Sequence, residues 1–437
     1  MSRGRLACAL LSLFLWGFPG PARAQVPDTA MHIPAAARAS DHFDAEAATQ
    51  AYLASVPPAE KARSDAYFEG GYWLLLWNFV LAAAIYVLLL ATGLSARMRD
   101  LGERFTRFRG LHVAAYWAQF VVVTSVLSFP LTVYQGFFRE HRYGLATQTF
   151  GSWMGDQVKG LVLGVVLGAL FAMVIYRVLR SAPRTWWIWG SGVTIVFVMI
   201  GALITPVFIA PLFNTYTKLD DPRVVDPILS MARANGIPAS DVWVVDASRQ
   251  TTRVSANVSG FLGTERITLN DNLLNRTTLP EIEAVMGHEM GHYVLNHVYK
   301  MILFFGVLIV IVFALLRRLS AWALGRWGAV WGVRGVDDPA GLPLLALIVA
   351  ALFFVLTPVL NSYIRVQEYE ADIFGLNAAR QPDGMALVSL KLGEYRKLDP
   401  GHLEEIVFFD HPSGRTRIFS SMRWKAENLD DDAAPGG

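Results

Sequence analysis

The chain has 437 residues, of which 54% are hydrophobic and only 17% charged, against about 25% charged in an ordinary soluble domain. Thirty-eight basic and 36 acidic side chains leave a net charge of +2, which is no footprint for a nucleic-acid partner. The one cysteine, Cys8, excludes a disulfide scaffold, a cysteine-ligated metal and a catalytic thiol beyond the extreme N-terminus.

Residues 1–24 read as a secretory signal. Arg3 and Arg5 form a positive start, residues 6–18 an apolar stretch, and Ala22-Arg23-Ala24 a cleavage site. A retained first transmembrane helix is the alternative, although the apolar run falls short of the roughly 20 residues a span needs. Residues 25–71, rich in Ala, Pro and charge, are expected to be an exposed helical or irregular segment. Six stretches then lack Asp, Glu, Lys and Arg for long enough to cross a bilayer: 72–94, 111–138, 160–176, 185–213, 301–316 (with an extension to about 324) and 342–364. Backbone groups in lipid must pair within the segment, so these runs are predicted helices. Pro130, Pro206 and Pro358 are expected to kink them.

Two polar regions interrupt this pattern. In 214–300, residues 222–235 form an amphipathic helix stopped by Gly236-Ile237-Pro238, and 242–245 and 267–269 are strand-like. Residues 255–259 are a candidate third strand, ending before Gly260. A helix opens at Leu279-Pro280 with Glu281 and Glu283 in its first turns, where the helix dipole favours acids. The second polar region, 365–437, reads as mostly helical. The domain plan is therefore 1–24, 25–71, four spans in 72–213, a catalytic part at 214–300, two spans in 301–364, and the remaining catalytic part at 365–437.

The chemistry sits in His288-Glu289-Met290-Gly291-His292. Histidines at i and i+4 share one helix face and can grip one Zn²⁺. Glu289 is placed to take a proton from a water activated there. The bland alternative is a polar helix face with two solvated histidines. A third ligand is still needed. Where metzincins carry further glycine and histidine ligand positions stand Leu295 and Val298, and His297 is one residue out of step. His297 thus reads as a residue behind the ligands or a merely polar one. Glu368 is the best candidate, and Asp372, one turn on, can hold a ligand histidine by its other ring nitrogen. A charged helix end is the competing account, and it describes Glu370 well.

The H-E-x-x-H, two spans, Arg365-x-x-Glu368-x-x-Ala371-Asp372, and then His411-Pro412 with Arg417 together resemble the type I CAAX prenyl proteases. These are membrane zinc metalloproteases, distantly related to HtpX-like enzymes. Residues 140–145 with Gln148-Thr149, 209–213 and 266–269 agree, so the similarity spans about 72–422. The resemblance implies a mainly α, polytopic membrane protein. Its helical transmembrane barrel would enclose a water-filled chamber and carry a small α/β zincin-like (gluzincin) domain. It also implies one Zn²⁺ per chain on His288, His292 and Glu368, with Glu289 as catalytic glutamate. His411 and Arg417 resemble groups that hold the substrate or the developing oxyanion. Substrate is expected to add as a strand beside 255–260, with Ser255, Ala256, Asn257 and Gly260 as binding positions. The family has Asn-Ala where this chain has Ser255-Ala256. Expected partners are a peptide or protein substrate, prenylated in the family, and the lipid bilayer.

Two other functions are weighed. An intramembrane-cleaving protease would bury its H-E-x-x-H in an apolar span, yet Glu281, Glu283 and Lys300 flank it here. A transporter or metal-binding membrane protein would place ionisable residues within the spans, and the six runs contain almost none. An HtpX-like enzyme clearing membrane proteins is the alternative substrate reading. Arginines cluster after the first, third and fifth runs, so the positive-inside rule puts those loops in the cytoplasm and the catalytic face outside, in a bacterial inner membrane. The eukaryotic members imply the opposite, a cytosolic face.

Overall fold

A computed structural model describes residues 33–259 and 266–428. The signal-like segment, Cys8 and Gly260 lie outside the described residues. After a short helix α1 (Ala45–Ala54), the first apolar run forms α2 (Pro58–Ala91), followed by the amphipathic α3 (Leu94–Phe105). The next three runs form α4 (Arg109–Val133), α5 (Phe150–Ser181) and α6 (Trp186–Ile204). Pro206 lies in a π turn, Thr205–Ile209, and a second π turn, Tyr134–Phe138, follows Pro130. Beyond the polar helices α7 (Pro222–Ala234) and α8 (Leu279–Val294) come the last two spanning helices, α9 (His297–Trp331) and α10 (Leu342–Ala379). Pro358 sits within the unbroken run of α10. The chain closes with α11 (Pro382–Leu392), α12 (His402–Phe408) and α13 (Gly414–Glu427).

Among the described residues, six helices are long and apolar enough to cross a membrane. Several overrun the apolar run that seeds them. The run 160–176 lies in a 32-residue helix and 301–316 in one of 35 residues. At 1.5 Å per residue these helices are roughly 48 and 52 Å long, longer than the ~30 Å hydrocarbon core, so their ends project from it. The six pack in chain order, α2 on α4, α4 on α5, α5 on α6, α6 on α9 and α9 on α10, and α10 returns to α2. That closed ring is the expected barrel.

The catalytic part sits at one end of the ring. Its sheet runs in the order β1 (Tyr216–Lys218), β2 (Val242–Val245), β4 (Arg266–Asn270), β3 (Ala256–Ser259). β2 and β4 are parallel; β1 and β3 are antiparallel to their neighbours. The expected strands are present, and β1 is an addition. Alternate residues of β4 bury Ile267 and Leu269 against Ile228 of α7 and Ile282, Met286 and Met290 of α8. The 140–149 motif ties the ring to this part: Arg253 donates to Glu140 Oε2 at 2.7 Å and to Tyr67 Oη at 2.6 Å, just ahead of β3.

One expectation needs narrowing. Many described residues of the segment before the first span are exposed, but one side of it is not. Ala37, Ala48 and Tyr52 are fully buried against Ala386, Leu390, Leu398, Ile418 and Met422. The Tyr52 hydroxyl donates to Asp383 Oδ1 at 2.8 Å, and Lys425 donates to the Ala37 carbonyl at 2.7 Å. The alanines that made the segment look featureless are the small side chains this close packing needs.

Candidate active site

Two helices carry the motif residues, and their close approach builds the site. A capping box at Thr278 and Glu281 starts α8, and Glu281 also pairs with the buried Lys391 at 2.8 Å. Gly287 and Gly291 of α8 then meet Gly375 and Ala371 of α10. A Cβ on Gly375 would lie 2.7 Å from the His288 backbone nitrogen, and one on Gly287 2.9 Å from the Gly375 carbonyl oxygen. Only glycine allows the backbones so near, and that nearness brings Glu368 and Asp372 up to the two histidines.

His288 Nε2 and His292 Nε2 are 3.1 Å apart, and each is 3.4 Å from a Glu368 carboxylate oxygen. All three are mutually within reach of one ion. Tetrahedral ligands at about 2.0–2.1 Å from zinc would stand roughly 3.3 Å from one another, so the donor set fits that metal. Behind them, Asp372 Oδ1 is 2.7 Å from His288 Nδ1 and its other oxygen 3.0 Å from Arg417 Nε. Arg417 also reaches Glu368 Oε2 at 3.2 Å. Arg417 is buried and engaged with these two carboxylates. His411 Nε2 also lies 3.2 Å from Glu368 Oε2, while its Nδ1 is 2.7 Å from Asp410.

His292 has a different support. Asn296 adopts a left-handed conformation (φ 57°) that ends α8 and starts α9. In an unbroken helix His297 would point away from His292; across this break its Nδ1 comes to 2.9 Å from His292 Nδ1. His297 Nε2 is then 3.1 Å from Glu370 Oε2, which Lys300 holds at 2.7 Å. His297 thus stands behind His292, with Glu370 behind it in turn.

Burial pushes the Glu289 carboxyl up to about 7. Burial, with the neighbouring His288, lowers His292 to about 4, which keeps that ring neutral. For His288 burial acts downward, but Asp372 outweighs it and raises the imidazole to about 10. A metal entering there must displace that proton.

A cavity of about 200 Å³ opens beside these groups, and Glu289, His411, Ser255 and Ala256 line it. β3 is the edge strand of the sheet. The Ser255 carbonyl accepts from Asn270 N at 2.9 Å, and Asn257 is exposed and outside the cavity wall. The same wall includes Tyr395 and Arg396, which belong to no motif and gave no signal in the sequence.

The chain can now be set beside known proteins. Residues 218–424 match peptidase family M48, and residues 44–215 match the CAAX prenyl protease N-terminal region of five membrane helices. The uncharacterized metalloprotease YhfN of Bacillus subtilis is 30% identical over 85% of this chain and 87% of its own. CAAX prenyl protease 1 of Saccharomyces cerevisiae is 27% identical over 68% of this chain and 69% of its own. The crystal structure of Ste24p from S. mikatae superposes with a TM-score of 0.71 at 20% identity, covering 85% of this chain and 93% of that one. That likeness shows a shared fold.

Proposed function

For a chain that belongs to peptidase family M48 and carries the membrane region of the CAAX prenyl proteases, we propose a zinc-dependent endopeptidase that cuts near the C-terminus of prenylated peptides or proteins. The observation that carries the zinc assignment is the convergence of His288, His292 and Glu368 within reach of a single ion. One Zn²⁺ per chain held there supplies Lewis acidity for the scissile carbonyl and lowers the pKa of water to about 7.

The protein's own groups do the rest. Glu289 takes the proton of the attacking water and returns it to the leaving amine. Asp372 fixes the ring of His288, His297 that of His292, and Arg417 the Glu368 carboxylate, so the donors keep their geometry without reorganisation. His411, which lines the cavity, is the group we assign to donate toward the carbonyl oxygen as charge develops, its Nε2 giving up the contact with Glu368 to do so. An extended substrate adds to the free edge of β3, so that its scissile bond lies over Glu289.

The test uses purified protein, a farnesylated peptide ending in a CAAX sequence, and its unprenylated twin. Cleavage three residues from the end, abolished by chelation and restored by one equivalent of zinc, is the expected result. Equal cleavage of both twins, with preference for unfolded membrane proteins, would favour an HtpX-like clearance enzyme instead. Zinc-loaded protein that cuts no peptide would refute the endopeptidase assignment.

A further inference from the structure

Resting on the endopeptidase reading above, we infer that Arg396 binds the free α-carboxylate at the end of the substrate chain and so makes the enzyme select short C-terminal segments. Besides His288, which faces Asp372 and Glu368, four cationic or potentially cationic side chains stand in or beside the cavity. Arg417 is bonded to Glu368 and Asp372, Lys391 to Glu281, and His411 to Glu368 and Asp410. Arg396, which lines the same cavity, makes no side-chain hydrogen bond or ion pair among the described residues. Its backbone carbonyl accepts from Ser64 Oγ at 3.2 Å, which anchors this stretch to the first span. Burial and the charge of Arg417 pull the guanidinium below its ordinary pKa, outweighing the carboxylates of Asp410 and Glu368. Asp410 is near enough to be felt, but its carboxylate is engaged by His411 at 2.7 Å.

The guanidinium stands 5.9 Å from the Tyr395 ring centroid, and a half-buried cation with no anionic partner is unfavourable until an anion joins it. A guanidinium presents a planar fork that matches a carboxylate in two parallel hydrogen bonds. The space limits what else can accompany that carboxylate. At about 200 Å³ the cavity is smaller than the roughly 300–1,000 Å³ of typical ligand pockets, which suits a chain end better than a continuing polypeptide. Its remaining walls include Leu273, Val285, Val388 and Leu392, so the residues before the carboxylate should be aliphatic.

The experiment compares two peptides that differ only in ending as a free acid or a primary amide, cut by the full zinc-loaded chain in detergent. Loss of one charge-assisted contact changes kcat/KM by about 10–100-fold, so wild type should prefer the acid by at least about tenfold, mainly through KM. Arg396→Leu should bring the acid-to-amide ratio close to one, and Arg396→Lys should keep part of the preference. Both variants should retain one zinc per chain, and the apolar tripeptide acid should bind wild type more tightly than Arg396→Leu in calorimetry. Equal cleavage of the two peptides by wild type, or an unchanged ratio in Arg396→Leu, would overturn this role while leaving the endopeptidase assignment intact. Failure to cut either peptide or an unfolded protein would instead count against that assignment.

Discussion

Glu289 and Glu368 share one cavity wall, yet their neighbours give them separate tasks. Glu368 is gripped by Arg417 and faces both histidines, whereas burial holds Glu289 near neutrality with no ion pair among the described residues. We predict that Glu289→Gln binds zinc normally and loses at least about 10²-fold in turnover, the usual loss when a general base is removed; near-normal turnover would sink the mechanism. A second prediction separates Glu368 from Glu370, two positions apart and so on different helix faces. Glu368→Ala should strip the metal. Glu370→Ala should keep it at saturation with affinity lowered about tenfold or more, because Glu370 acts through His297 on His292. Metal titration reads both, and the opposite order would show that the register is wrong. His288, Glu289 and His292 were legible in the sequence because an i, i+4 spacing is enough to imply a shared face. Glu368 needed the resemblance to rise above a charged helix end. Arg396 was not legible, since nothing local distinguishes an unpaired arginine from a solvated one.

Between helices, the determining contact is small. Gly375 faces the His288 backbone at a distance that leaves no room for a methyl group, and the obstruction is main chain, which no rotamer change relieves. Gly375→Ala should therefore wedge α8 from α10, destabilising by about 1–3 kcal/mol and spreading the three donors. Thermal unfolding in detergent and zinc titration should both worsen; a variant with unchanged melting temperature and zinc affinity would mean the helix pair is not held as tightly as the geometry implies. The elements themselves were largely readable. Long apolar runs had to be helices, and 242–245 and 267–269 are short runs rich in β-branched residues, as strands are. Three features were not. The strand Tyr216–Lys218 is too short to show a period, and it exists through pairing with β2. The break at Asn296 depends on one left-handed residue. The burial of Tyr52 depends on residues more than 300 positions away.

At the scale of the whole molecule, the ring and the N-terminal segment together decide which loops share a side. Because Ala37, Ala48 and Tyr52 pack on the catalytic part, the first span starts on the catalytic side and the loops after the first, third and fifth spans lie on the other. Some of the arginines there are paired in the folded protein. Arg99 pairs with Asp338 at 2.6 Å and Arg334 with Glu103 at 2.7 Å. Arg97, Arg104, Arg109, Arg177, Arg184, Arg317, Arg318 and Arg326, by contrast, form no side-chain hydrogen bond or ion pair among the described residues. In the short catalytic-side loop after the second span, Arg139 is partnered by Glu140 and Lys159 by Asp156, while Arg142 forms no side-chain hydrogen bond or ion pair among the described residues. From the rule that loops rich in lysine and arginine stay cytoplasmic, we propose that the catalytic side faces outside. We predict that alkaline phosphatase, active only when exported, is active when fused to the C-terminal end in a bacterial host and inactive when inserted in the loop between the third and fourth spans. Intact fusions with the reverse pattern would place the catalytic side in the cytoplasm, and the unpaired arginines would then have to serve the interior of the ring rather than orientation.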